Sequence, residues 1–327
     1  MSPLHKQTLE GGFFGLLAAA IWSGHSPVSA LGIAAGFEST DLAAIRIATS
    51  SILLLPYLLT RRQGIWGALT WPRAMLLAAC AGAPFSLIQI AGLNFAPLSH
   101  SAAISLGAVP LFASALGLAF LGSRLTPLRG LALVSLLAGM LLMVSGGDGR
   151  NSDFPQAWRG DFCFAVAALL WALYAFLGQR WRVPPLTGVA LSSVLSVPYL
   201  LVYALALRPK IPEINSTELA SAGVTIDDLV LQVVYQGVLI GALAIYSYSR
   251  AVTLLGLEKG ALFTALAPVG VMLIGTRLLD QQPMPIEWLA ITLVTAGMLA
   301  GMLISRPTPH PSKNSSNTLE GAVRQRE

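Results

Sequence analysis

The sequence predicts an all-α polytopic membrane protein whose ten transmembrane helices form two inverted five-helix repeats. Three observations predict it. The 327 residues are 55% hydrophobic and only 11% charged, with a mean hydropathy of +0.70, against roughly 25% charged residues in a soluble domain. Apolar, charge-free runs follow one another along the chain, and a bilayer-crossing helix needs about 20 such residues. The second half also repeats features of the first at fixed offsets. The runs are continuous rather than alternating, which excludes a β-barrel. No stretch is long and polar enough for a soluble catalytic domain. Cys80 and Cys163, both in apolar surroundings, give neither a disulfide framework nor a metal cluster.

The spans follow from the charges that bound them. The first lies between Glu10 and Glu38, the second between Arg46 and Arg61. The run from Arg73 to Arg124 is too long for one helix, and Asn94-Phe95-Ala96-Pro97-Leu98-Ser99 divides it into the third and fourth. The fifth runs between Arg129 and Asp148, the sixth between Asp161 and Arg180, and the seventh between Arg182 and Arg208. Asp228 and Arg250 bound the eighth, Lys259 and Arg277 the ninth, Glu287 and Arg306 the tenth. Lys6, an apolar stretch and Val28-Ser29-Ala30 imitate a secretory signal. The apolar run continues to Phe37, however, and an equivalent helix recurs later, so a retained first helix is expected.

Basic residues orient the chain. With the N-terminus in the cytoplasm, that side carries fourteen Lys and Arg, from Lys6 to Arg326. The other side carries five: Arg150, Arg159, Arg208, Lys210 and Arg277. Both termini are therefore expected in the cytoplasm, and the chain in a plasma or inner membrane. The net charge of +5 reflects this topology and is no signal for nucleic acid. The segment after Ser305 reads as a disordered tail.

The repeat is visible residue by residue. Aligning Gly11 with Gly160 places Trp22 on Trp171. A shift of 158 positions places Pro110 on Pro268, Pro127 on Pro285 and Gly139-Met140 on Gly297-Met298. Five is odd, so the second repeat is inserted upside down relative to the first, the architecture that lets one site open alternately to either side.

The residues repeated in both halves resemble the drug/metabolite transporter superfamily, in its ten-helix EamA-type branch. They are Gly15 through Trp22-Ser23-Gly24, Leu42 through Arg46, Ala102 through Pro110 to Pro127, and Ala138-Gly139-Met140. Similar segments are Gly160-Asp161 to Trp171-Ala172, Gly260 to Pro268, and Ala296-Gly297-Met298. The chain departs from the family's Gly-Glu pair, reading Gly122-Ser123 in one half and Leu279-Asp280 in the other. The resemblance divides the chain into an N-terminus (1–10), repeat one (11–146), an external loop (147–159), repeat two (160–304) and a tail (305–327). It implies a carrier, not an enzyme, that moves small polar or amphipathic metabolites such as amino acids outward.

Candidate solute-binding residues come from inward faces and matched breaks. Pro110 and Pro268 each free a carbonyl one turn earlier, at Leu106 and Thr264, in equivalent helices. Helix one places Trp22, His25, Ser26 and Ser29 on one face, and helix six offers Trp171 and Tyr174 at the matching positions. Helix eight carries Gln232, Tyr235, Gln236 and Tyr246, and helix three Gln89 and Asn94. Such residues suit a cavity, or equally a polar seam between helices. In the cavity reading, Trp22, Tyr174, Tyr235 and Tyr246 enclose a solute that His25, Ser26 and Gln89 hydrogen-bond. Arg46 is expected to snorkel or to pair with Asp41 or Glu38, with contact to a substrate carboxylate as the alternative. Arg250, Glu258 and Lys259 are expected to form a surface ion pair at the cytoplasmic ends of helices eight and nine.

No span carries a carboxylate at its centre. Asp41, Asp161, Asp227 and Asp228 stand where helices begin, suited to capping. Proton coupling, if used, would rest on His25. No cofactor or metal is expected, and the partners expected are a small-molecule solute, lipid and, as an option, a second copy of the chain. Small-residue pairs at Ser135/Gly139, Gly237/Gly241 and Gly297/Gly301 serve either internal or dimeric contacts. The competing readings are a non-transporting assembly or sensor subunit and an intramembrane enzyme. The second lacks a His-Glu pair, central aspartates and a complete Gly-x-Ser-x-Gly turn.

Overall fold

The structure is a computed structural model that describes residues 3–121, 126–146, 154–206, 224–255 and 263–304. The expected tail, Gly122-Ser123 and the Glu258-Lys259 pair lie outside the described residues. Among the described residues eight helices are long and apolar enough to cross a membrane: α1 (His5–Ala34), α2 (Ser39–Thr60), α3 (Trp71–Asn94), α4 (Leu98–Phe120), α5 (Pro127–Ser145), α6 (Ala157–Arg180), α7 (Pro185–Ala206) and α8 (Ile226–Leu255). Two shorter apolar helices, α9 (Phe263–Leu278) and α10 (Pro285–Gly301), complete the ten. Pro127 and Pro285 open α5 and α10, where a proline loses no helical hydrogen bond.

The helices pack in pairs that map onto one another when the two halves are exchanged. Helix α1 lies against α8 and α9, and its counterpart α6 lies against α3 and α4. In the same way α2 meets α8, and α7 meets α3. Two pairs map onto themselves, α2 with α7 and α5 with α10. Those two pairs therefore flank the pseudo-two-fold axis. Because equivalent helices are five crossings apart, they traverse the bilayer in opposite senses, and the axis lies in the membrane plane.

Lipid supplies no hydrophobic force between helices, so close packing needs small side chains. At the α5–α10 crossing a Cβ on Gly139 would stand 2.7 Å from the Ala290 carbonyl oxygen, and one on Gly297 would stand 2.8 Å from that of Ala132. Ser135 Oγ donates to the Leu293 carbonyl across the same crossing at 2.9 Å. Gly237 and Gly241 approach Thr49 and Ser50 of α2. All three small-residue pairs thus serve contacts inside the chain. Large apolar side chains such as Ile52 (73%), Phe120 (70%) and Leu205 (77%) stay exposed, as a lipid-facing belt requires.

Polar bonds join the repeats at both ends of the bundle. Near the α2 N-terminus, Tyr203 donates to Asp41 Oδ1 at 2.5 Å and Tyr199 to the Thr40 carbonyl at 2.9 Å, both from α7. His100 of α4 and Asp161 of α6 form a 2.7 Å hydrogen bond, their side chains 3% and 14% exposed. At the opposite end, Tyr57 of α2 meets Thr187 of α7 at 2.9 Å, and Arg250 pairs with Glu10 at 2.8 Å. One expectation changes here: Asp161 stands inside α6 and binds His100 instead of capping. Arg250 does form a surface ion pair, with Glu10, because α8 packs along α1. Asp228 does cap, in a reciprocal box with Thr225.

Two outcomes follow. Gly139→Leu overpacks the α5–α10 crossing and should destabilise the protein by about 1–3 kcal/mol, read as a lowered unfolding midpoint in detergent. Asp161→Asn weakens the hydrogen bond to His100 and should cost about 2 kcal/mol by the same measurement. An unchanged midpoint in either variant contradicts the packing described.

Candidate functional site

A small cavity lies where α2, α3, α6, α7 and α8 meet, between the two sets of repeat-joining bonds. Arg46, Ser50, Ser86, Trp171, Ser193 and Gly241 are among its lining residues. Its volume is about 30 Å³, room for one or two waters and for no metabolite. A solute enters only if the surrounding helices part.

The helices around it are irregular for identifiable reasons. Helix α3 breaks at Gly82, between Trp71–Ala81 and Ala83–Ala91. Gly82 is needed for close approach, since a Cβ would stand 2.8 Å from the Ser192 carbonyl oxygen of α7. Ser196 Oγ of α7 accepts from the freed Ala83 N–H at 3.0 Å. In α8, the counterpart of α3, residues Val233–Leu243 wind as a π-helix that includes Gly241. Matched discontinuities in equivalent helices are the best pointer to a transport site. They occur in α3 and α8, a pair the sequence did not single out.

The prolines that it did single out lie elsewhere. Pro110 is partly buried within α4, after a π segment at Ser101–Ser105. Pro268 is buried in the first helical turn after a 3-10 segment at Phe263–Leu266. Both do mark irregular winding, but neither borders this cavity.

The electrostatic centre of the site is Arg46, the eighth residue of α2. Its Nη1 lies 3.2 Å from His25 Nε2 of α1. Arginine only donates, so the imidazole nitrogen accepts and the ring is held neutral in this contact. The guanidinium also sits over the Phe85 ring, 5.8 Å from the centroid, a cation–π arrangement. Phe85 packs on Trp171 at 5.4 Å, and Trp171 on Tyr174 at 5.3 Å, making a continuous aromatic wall. The expected pairing of Arg46 with Asp41 or Glu38 is corrected. Asp41 gives its two oxygens to Tyr203 and to the Glu38 N–H, and the helix turns Arg46 inward instead.

The other predicted side chains mostly bind one another. Trp22 packs on Tyr248 at 5.3 Å, and Ser26 bonds Ser101 at 2.9 Å. Gln89 accepts from Ser105 at 2.9 Å, and Asn94 donates to Ser39 at 2.8 Å. Tyr235 donates to the Ile21 carbonyl at 2.8 Å, over Gly24. Gln232 donates to the Val28 carbonyl and Gln236 to Ser29 Oγ, each at 2.8 Å. These bonds lace α1 to α8. Tyr246 is 50% exposed and rests against Phe14. Of the eleven residues expected to bind solute, Trp171 borders the cavity, with His25 one contact away through Arg46 and Tyr174 stacked behind.

Phe85, Ser86, Ser50 and Ser193 are the site residues the sequence reading passed over. The signals were present as Gly82-Ala83-Pro84, a helix breaker before Phe85, and as Ser192-Ser193 and Ser196, a serine-rich face in an otherwise apolar span. Among the described residues no cluster of three or more metal-ligating side chains occurs.

Comparison with known proteins agrees with this architecture. A family model described as the EamA-like transporter family matches residues 9–145 and again 158–302. No curated protein matches the chain by sequence. A solved structure, described only as the crystal structure of a protein, is 20% identical. The match covers 90% of this chain and 97% of the other, with a TM-score of 0.57, a likeness of fold alone. Two family matches, one over each five-helix half, leave a single conclusion: the chain is an integral membrane protein that belongs to the EamA-like transporter family.

Proposed function

We propose that this protein carries small polar or amphipathic metabolites across a plasma or inner membrane by alternating access between its two repeats. The observation that carries the reading is the cavity on the pseudo-two-fold axis, with α2 and α7 bonded to each other on either side of it. Asp41–Tyr203 closes one end and Tyr57–Thr187 the other. Rocking the repeats breaks one bond while the other holds, which admits solute from one side at a time.

With the termini in the cytoplasm, as the basic residues favour, the Asp41–Tyr203 bond and the His100–Asp161 pair lie on the outer side. Those contacts are buried, whereas the inner Arg250–Glu10 pair is 41% and 37% exposed. The inner end is then the easier one to part, so a solute loads from the cytoplasm and leaves outward. The partners of this reading are a small-molecule solute and the surrounding lipid.

Flux in proteoliposomes against a labelled panel of organic acids, amino acids, amines and nucleosides tests it. Uptake of at least one solute should exceed that of protein-free liposomes. Ser193→Phe, which fills the cavity, should reduce it at least about tenfold while leaving the protein monodisperse, the size of effect expected when a bound solute is sterically excluded. Flux that persists in Ser193→Phe contradicts a path through this cavity.

A further inference from the structure

The structure places a cation inside the bundle without giving it an anion. Arg46 lies seven residues, about 10 Å of helix rise, inside the α2 N-terminus. Among the described residues no carboxylate forms an ion pair with it. The nearest acid in sequence, Asp41, has both oxygens engaged. The neutral His25 nitrogen and the Phe85 face soften the burial of the charge and do not balance it. An uncompensated charge in a low-dielectric interior is costly, and sites that keep one are usually matched by a ligand of opposite sign.

The lining around Arg46 defines that ligand further. Ser86 and Ser193 are buried, border the cavity, and their hydroxyls form no hydrogen bond among the described residues. Two hydroxyl donors beside one guanidinium suit the two oxygens of a carboxylate. Trp171, backed by Phe85, offers a flat apolar wall next to that head-group position. Among the described residues no acidic side chain borders the cavity, so an ammonium would find no counter-charge from them. A single guanidinium balances one negative charge and not two.

We infer that Arg46 is the recognition point for organic monocarboxylates, taking the carboxylate with Ser86 and Ser193 while a ring or other flat apolar body lies against Trp171 and Phe85. This rests on the carrier reading above and names its solute class. It ranks simple monoanions above zwitterions and cations of the same shape.

Four compounds with one ring and different heads test the assignment: phenylacetate, phenylacetamide, phenethylamine and L-phenylalanine. Each is added at millimolar concentration to the purified protein in detergent, and the unfolding midpoint is followed. Phenylacetate should raise the midpoint by about 3 °C or more, the shift expected of a ligand well above its Kd, and the amide and amine should not. Arg46→Gln should abolish the shift, and Arg46→Lys should retain part of it. Without ligand, Arg46→Gln should unfold no earlier than wild type, because it relieves an unbalanced charge, whereas an arginine with a structural role would lower the midpoint when removed. Counterflow of labelled phenylacetate in proteoliposomes should follow the same order.

An equal shift from the amine or amide, a shift that survives Arg46→Gln, or no shift from phenylacetate overturns the assignment. The broader flux panel judges transport separately. Flux of amines or nucleosides without flux of phenylacetate removes the carboxylate assignment and leaves the carrier standing, and a panel without any flux removes the carrier reading itself.

Discussion

Helices in a bilayer gain nothing by hiding apolar surface from one another, and this constraint shapes the whole molecule. What holds them is close backbone approach and hydrogen bonding. The two helix pairs on the pseudo-two-fold axis divide that work. At α5–α10, Gly139 and Gly297 bring backbones together with reciprocal geometry, which makes a tightly packed crossing. At α2–α7, four polar contacts hold the seam: Asp41–Tyr203, Tyr199 to the Thr40 carbonyl, Ser51 Oγ to the Ser193 carbonyl at 2.9 Å, and Tyr57–Thr187. A seam held by a few separate bonds can part at one end and hold at the other. The tightly packed crossing is suited to remain closed while the bonded one moves.

The site lies on the bonded seam, and its chemistry follows from that position. A helix crossing that needs room for Gly82 against α7 and Gly241 against Ser50 leaves irregular backbone beside a polar, serine-lined space. Irregular winding is tolerated at membrane depth only where protein or a cavity covers it. Arg46 uses that space. Its guanidinium would be poorly placed against lipid, and the inward geometry of α2 sets it between His25 and Phe85. Stability is thereby given up locally in exchange for a charged centre, a trade common in functional sites.

Most of the fold was legible in the sequence because charge gaps and matched prolines are direct consequences of crossing a bilayer. Pro127 and Pro285, equivalent in sequence, both open helices, and the Asn94–Ser99 break does separate α3 from α4. The site was legible only in part. Helix one does turn Ser26 and Ser29 inward, yet these hydroxyls meet Ser101 and Gln236, since a buried amide or hydroxyl takes the nearest protein partner. Whether a polar face binds solute or another helix depends on what stands opposite, and spacing along one helix does not encode that. Arg46 shows the same limit in reverse. Its neighbours in sequence suggested an ion pair with Asp41, but Tyr203, 162 residues away, claims that carboxylate.

Solvent access to the cavity from each side of the membrane tests the central claim most directly. In a variant with Cys80 and Cys163 replaced, Ser50→Cys provides one thiol on the cavity wall, to be labelled by a membrane-impermeant maleimide applied to either face. The account predicts labelling from both faces, with Tyr203→Phe favouring the outer face and Tyr57→Phe the inner one. Labelling confined to the same single face in all three backgrounds would contradict alternating access through this seam.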